Sequence, residues 1–347
     1  MLPGGSLLPV LGLLAASYTG LVLLRNRRLV RPPILGIDGA PLPERTFTLS
    51  DGETVDCVVV GPTDPTTADS APIAHPIFLV PGADGMKETF RFQVPALARR
   101  RKVVCATLRR GFTREDTLDR MVDDVAELAA DLLTTQDSDR FVLLGQSLGG
   151  AIAMRFATRF PDRVAGLVLS NTLARISLDH VGLNRALLAP LAMSTTRYLP
   201  TGMARLLARA WSRLEVWIYD DSPGSRRVID YALWTGPRTV ASSVSNARVA
   251  LLKKIDLRPE LPSIRSPVLV LKGPRDHYVP PAWSHEIVAL VPGARYQELA
   301  GTGHCSHLSM PGSFNGLLLG WLENVVDGGG GEPSPGTHPR PATEVGE

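Results

Sequence analysis

The sequence predicts an α/β fold: a doubly wound, mostly parallel sheet with a helical insertion, preceded by a membrane helix. Three observations carry that expectation. Short apolar runs alternate with helical patterns from residue 76 onward, which is the signature of strands buried on both faces between covering helices. A long stretch without strands, about residues 172–254, separates two of those runs. Residues 1–24 carry no charged side chain. With 347 residues, 44% of them hydrophobic and 20% charged, the chain has ample apolar surface to bury, which excludes an intrinsically disordered protein.

In chain order, Leu7 to Leu24 reads LLPVLGLLAASYTGLVLL, 18 residues that as a helix rise about 27 Å at about 1.5 Å each, near the thickness of a bilayer core. Arg25, Arg27, Arg28 and Arg31 follow at once, and no Lys or Arg precedes the apolar run, the reverse of a secretory signal. The positive-inside rule keeps those arginines, and everything after them, in the cytoplasm. Residues 1–30 are therefore expected to be a single-pass anchor with its basic flank. A signal cleaved at Ala15-Ala16-Ser17 and an apolar helix packed on the body are the competing readings. Residues 31–43 have the Pro/Gly composition of a linker.

The body spans 44–326. RTFTLSDGETVDCVVVGP reads as a hairpin turning at Asp51-Gly52. Strands are expected at 76–80, 103–108, 141–145, 166–171 and 267–273, with helices at about 89–100, 117–135, 148–160 and 281–291. The insertion at 172–254 reads as wholly helical, with Pro190, Pro200, Pro223 and Pro237 as boundaries, and carries twelve Lys/Arg against five Asp/Glu in a chain of net charge +3. Residues 327–347 have the composition of a disordered tail. Cys57, Cys105 and Cys305 are too few and too scattered for a disulfide framework or a metal site, and fit reduced thiols in a cytoplasmic compartment. Arginine outnumbers lysine 32 to five, a genome-level bias, and no nucleic-acid module accompanies it.

The sharpest chemical signal is FVLLGQSLGGAIAMRFATRFP, in which a buried strand runs into Gly145-Gln146-Ser147-Leu148-Gly149 and then an amphipathic helix. A serine on such a sharp strand-to-helix turn stands at a helix amino terminus, where free N–H groups favour negative charge, and the flanking glycines remove clashing side chains. Here the chain resembles the α/β-hydrolase superfamily over about residues 44–326. The resemblance implies an α/β-hydrolase fold with a helical cap at 172–254 and a triad in the order Ser, Asp, His. PVLVLKGPRDHYVPP places Asp276 just past a strand, in the family's G-x-x-D pattern, and ELAGTGHCSHLSMPGSF places His304 in G-x-G-H-x-x-H-L, 28 residues later.

On that resemblance Ser147 is the nucleophile, His304 the general base and acid, and Asp276 the group that orients the imidazole and stabilises its cation. His307 is the competing histidine, which the family packs nearby; His277 and His285 read as surface residues. Asn171 occupies a strand end where some hydrolases carry their acid, which leaves Asp276 as the candidate. The oxyanion hole would use the backbone N–H groups of Leu148 and Ala83, the latter in Val80-Pro81-Gly82-Ala83-Asp84-Gly85. Two departures stand out: Asp84 brings a carboxylate close to a developing oxyanion, and Leu108-Arg109-Arg110-Gly111 lacks the family's usual acid.

No cofactor is implied, and Ser147 argues against the dehalogenases and epoxide hydrolases of this fold, which use aspartate. LVLSNTLARISL and the triad patterns look like those of 3-oxoadipate enol-lactonases. The expected partner is a small-molecule ester or lactone, anionic if the basic insertion faces it or lipidic if the anchor holds the enzyme at a bilayer. A solvated arginine face at Arg205, Arg209 and Arg213 is the bland alternative for the insertion's charge. Two further readings are a non-catalytic scaffold similar to maspardin, against which the intact Ser147/Asp276/His304 set speaks, and acyl transfer, C–C hydrolysis or perhydrolysis on the same triad.

Overall fold

The computed structural model describes residues 7–28, 33–62, 74–133, 139–176, 224–238 and 242–328, with single positions 203, 206, 207 and 210. Arg31, the front of the insertion with Arg205, Arg209 and Arg213, and the tail beyond residue 328 lie outside the described residues.

Among the described residues, eight strands, numbered in chain order, form one sheet in the order β1-β2-β4-β3-β5-β6-β7-β8. The hairpin turning at Asp51-Gly52 is β1 (Glu44–Thr48) and β2 (Thr54–Val60), antiparallel to each other, and β2 runs antiparallel to β4 (Val103–Ala106) as well. From β4 the ladder is parallel through β3 (Ile77–Val80), β5 (Phe141–Gln146), β6 (Val164–Ser170), β7 (Val268–Lys272) and β8 (Arg295–Glu298). Every residue of β3 to β7 is buried, so these strands read as unbroken apolar runs rather than alternating ones. Strand β8, Arg-Tyr-Gln-Glu, is an edge strand with three exposed side chains. It has no apolar run, so no strand is expected there from the sequence alone.

Among the described residues the α-helices are, in chain order, α1 (Leu7–Arg28), α2 (Gln93–Leu97), α3 (Leu118–Leu132), α4 (Leu148–Arg159), α5 (Ser225–Arg238), α6 (Ser242–Leu252), α7 (Pro281–Leu290), α8 (Ser306–Ser309) and α9 (Pro311–Trp321). Both sheet faces are covered. Leu143 and Leu167 join Val122, Ile152 and Ile287 of α3, α4 and α7 in one core, while their neighbours Leu144 and Val168 join Val94, Leu97 and Leu318 of α2 and α9 in the other. The helix expected at 89–100 is instead a 3-10 turn, Lys87–Phe90, followed by the five residues of α2. Pro95, which lacks an N–H, fits only the first turn of a helix and so forbids a longer one running through it.

The insertion leaves and re-enters the body at one neck, where Arg175 bridges Asp256 and Leu257 N donates to Ala174 O at 3.0 Å. Its described end, α5 and α6, packs on the body: Val244, Ala247 and Leu251 join the first core. Within residues 33–43, Leu42 N donates to Ile34 O and Ile34 is buried against the second core, so a stretch of linker composition is fastened to the domain. Helix α1 keeps Val10, Leu11, Leu13, Leu14 and Leu21 exposed. Among the described residues, no helix is long and apolar enough to cross a membrane, so the single-pass anchor expected at residues 1–30 is not shown. The three cysteines are buried and form no disulfide with one another.

Candidate active site

Strand β5 ends at Gln146, and Ser147 turns the chain into α4 with φ 53° and ψ −120°. An L-residue adopts positive φ only where its surroundings enforce it. Here Ser147 N donates to Ser170 O, while Gly150 N and Thr172 Oγ1 donate to Ser147 O at 2.9 and 2.6 Å. The glycines are needed for close approach: a Cβ on Gly145 would stand 2.2 Å from Gly149 O, and one on Gly149 would stand 2.1 Å from Val80 O. Among the described residues, the other non-glycine with positive φ is Asn171 (47°), at the end of the adjacent strand β6.

Asp276 and His304 come together from the loops after β7 and β8. His304 Nδ1 lies 3.0 Å from Asp276 Oδ2. The same oxygen accepts from Lys272 Nζ at 2.7 Å and Asn171 Nδ2 at 2.9 Å, and Oδ1 accepts from the Tyr278 and Val279 amides at 2.9 and 3.0 Å. Burial alone would favour the neutral acid, but His304 and Lys272 outweigh it and hold the Asp276 carboxyl well below the usual range. Lys272 is itself fully buried, which pulls its pKa down, and its Nζ also donates to Val279 O. Neither Lys272 nor the Asn171 contact was foreseen as part of the site. A lysine closing an apolar strand carries no motif that marks it as a partner of the acid.

Gln146 Nε2 meets His304 Nε2 at 3.3 Å. A carboxylate only accepts, so the neutral imidazole carries its proton on Nδ1, facing Asp276, and leaves Nε2 as the acceptor towards Gln146. That is the tautomer a general base requires. His307, the competing histidine, is fully buried between Phe90 and Phe314, with Nε2 2.7 Å from Thr89 Oγ1. Burial pushes its pKa down to about 3, so it stays neutral in the core and does not compete with His304 for Asp276.

The turn after β3 passes against the serine. Gly85 N donates to Gly82 O at 2.9 Å, and a Cβ on Gly82 would meet Gln146 Oε1 at 2.4 Å and Ser147 Cβ at 3.3 Å. Ala83 lies in this turn, and Leu148 is the first residue of α4. Asp84 is engaged by the insertion: Tyr231 Oη of α5 donates to its Oδ2 at 2.7 Å, and the Met86 amide donates to Oδ1. Burial pushes the Asp84 pKa up, while the Tyr231 hydrogen bond and Arg248 oppose that shift. At the second departure, buried Leu108 stands at the position of the family's acid, and the next residue, Arg109, is buried and paired with Asp124 and Asp51.

Residues 77–317 match the alpha/beta hydrolase family. The chain belongs to that family. Among hydrolase relatives it is 28% identical over 210 residues to the pimeloyl-[acyl-carrier protein] methyl ester esterase of Neisseria meningitidis, covering 60% of this chain and 64% of that one. It is 30% identical over 257 residues to polyketide synthase ThaQ of Burkholderia thailandensis, spanning 72% of this chain but 12% of that protein. The hydrolase fold superposes on the enol-lactonase of Burkholderia xenovorans with TM-score 0.60 and 24% identity, over 80% of this chain and all of that one.

Proposed function

We propose that this protein is a serine hydrolase that cleaves a carboxylic ester or lactone through an acyl-serine intermediate, with Ser147, Asp276 and His304 as its catalytic triad. The observation that carries this reading is the buried His304–Asp276 pair, with His304 Nε2 meeting Gln146, the residue before a serine held at positive φ on a helix amino terminus. Ser147 Oγ attacks the carbonyl carbon as its proton passes to His304 Nε2, a step in which Gln146 must yield its place to the serine. Asp276 stabilises the imidazolium, and the Ala83 and Leu148 amides receive the oxyanion. Collapse expels the alcohol oxygen, which takes the proton back from His304. Water, deprotonated by the same nitrogen, then releases the acid and restores Ser147.

Relatives named as a methyl ester esterase and an enol-lactonase support the choice of acyl–oxygen bonds. The exposed apolar side chains of α1, followed in sequence by arginines, support a membrane anchor with the hydrolase domain on the cytoplasmic side. An anchored enzyme of this kind meets acyl esters that partition into the bilayer.

The test is labelling of the full chain with a fluorescent fluorophosphonate, beside Ser147→Ala and His304→Ala. Labelling of the parent alone is expected, and a folded parent that stays unlabelled would overturn the reading. For the anchor, the full chain should stay with membranes through an alkaline carbonate wash. Its release into the supernatant would remove that part of the proposal.

A further inference from the structure

The turn that carries Ala83 is held from outside the body of the fold. Arg248, on α6 of the insertion, is fully buried, and its guanidinium bridges two loops: Nη1 donates to Ala83 O at 3.0 Å and Nη2 to Arg109 O at 2.7 Å. Tyr231, on α5, donates its hydroxyl to Asp84 Oδ2 at 2.7 Å. The body contributes the rest, since Gly85 N holds Gly82 O and Leu108 N holds Gly85 O. A peptide unit is planar, with its C=O and N–H pointing in opposite directions. Fixing Gly82 O therefore fixes the direction of the Ala83 N–H, and fixing Ala83 O fixes the next peptide plane. Gly85 leaves room for the arginine, because a Cβ there would stand 2.2 Å from Arg248 Nη1.

We propose that the cap assembles the oxyanion hole: Arg248 and Tyr231 are positioning residues that hold the Gly82–Gly85 turn so that the Ala83 N–H faces the substrate oxygen and the Asp84 carboxylate turns away from it. The proposal rests on the serine-hydrolase reading above. It also answers the difficulty that Asp84 raises. A carboxylate in this turn would repel a developing oxyanion, but here it accepts from Tyr231 and lies within the influence of the Arg248 cation. Buried cations and hydroxyls directed at a carbonyl and a carboxylate act strongly, because little water screens them. An insertion that docks through these contacts completes the catalytic geometry as it covers the site.

The experiment uses the full chain and p-nitrophenyl butyrate, with variants Arg248→Met, Arg248→Lys, Tyr231→Phe and Gly85→Ala. A trifluoromethyl ketone serves as analogue of the tetrahedral intermediate. Loss of one oxyanion donor costs about 10²–10³ in kcat, so Arg248→Met is expected to lower kcat roughly 10²-fold with KM changed less than about threefold. Affinity for the ketone should fall in parallel, and Arg248→Lys should restore part of both. Tyr231→Phe, which removes one oxygen and disturbs packing least, should lose roughly tenfold in kcat by the same reasoning, and it covers the case in which Arg248→Met fails to fold. Gly85→Ala should resemble Arg248→Met. Unchanged kcat and ketone affinity in folded Arg248→Met and Tyr231→Phe, or a rise in KM alone, would overturn the inference. In that case fluorophosphonate labelling of the parent leaves the hydrolase reading standing; an unlabelled parent would remove both.

Discussion

Two carboxylates flank the candidate site, and the molecule treats them in opposite ways. Asp276 is surrounded by donors from the body itself: Lys272 from β7, Asn171 from the end of β6, two amides of its own loop, and His304. Asp84 receives one amide from its own turn and depends on Tyr231, from the insertion, for the other oxygen. The first is held well below the usual carboxylate pKa and the second is pushed above it. Asp276 is thus satisfied by the body alone, whereas Asp84 draws one of its partners from the insertion.

The largest effect that would break this contrast concerns Asp276. Asp276→Asn keeps the shape but favours the wrong imidazole tautomer, and a loss of about 10⁴ in kcat is expected with p-nitrophenyl butyrate. A loss below tenfold would mean that another group orients His304. Next comes Lys272, whose removal leaves a buried carboxylate with less compensation. Lys272→Met should destabilise the fold by about 3 kcal/mol in denaturant unfolding at neutral pH. A stable variant would show that Asn171 and the loop amides suffice.

The pH dependence of stability separates the two carboxylates by sign. Asp276 has a folded-state pKa below the unfolded value of about 3.9, so its contribution is present above that pH and disappears as pH falls through the folded value. Asp84 has a raised folded-state pKa, so its contribution is present below about 3.9 and is lost as pH rises through the folded value. Unfolding curves between pH 4 and 8 should therefore show Asp84→Asn gaining on the parent as pH rises. Asp276→Asn should remain the less stable protein across that whole range, and slopes of the same sign for both variants would contradict the distinction. The smallest effect expected is a coupling. Arg248→Met and Tyr231→Phe should be non-additive in stability by more than about 0.5 kcal/mol, whereas Arg248→Met and Lys272→Met should add within that margin.

Much of this was legible beforehand. Strands β3 to β7 are buried on both faces, so each announces itself as an apolar run, and the elbow at Ser147 carries its glycines with it. Asp276 and His304 followed from their patterns after β7 and before α8. The polar edge strand β8 was not legible, because one partner strand and a solvent-facing surface demand no apolar residues. The helix expected at 89–100 was misjudged because Phe90, Val94 and Leu97 recur at helical spacing, while the chain uses that spacing across a 3-10 turn and a short helix.

The sequence by itself determined the alternation of strands and helices, the strained serine turn and the order of the acid and histidine, because each depends on neighbours a few residues away. Only the tertiary structure decided which cations and hydroxyls serve those groups. Lys272 reaches Asp276 across a loop, but Arg248 crosses 165 residues to reach a carbonyl. Every residue has a backbone carbonyl, so no pattern in the chain marks the one that an arginine will find. That choice is made by how the insertion packs on the sheet.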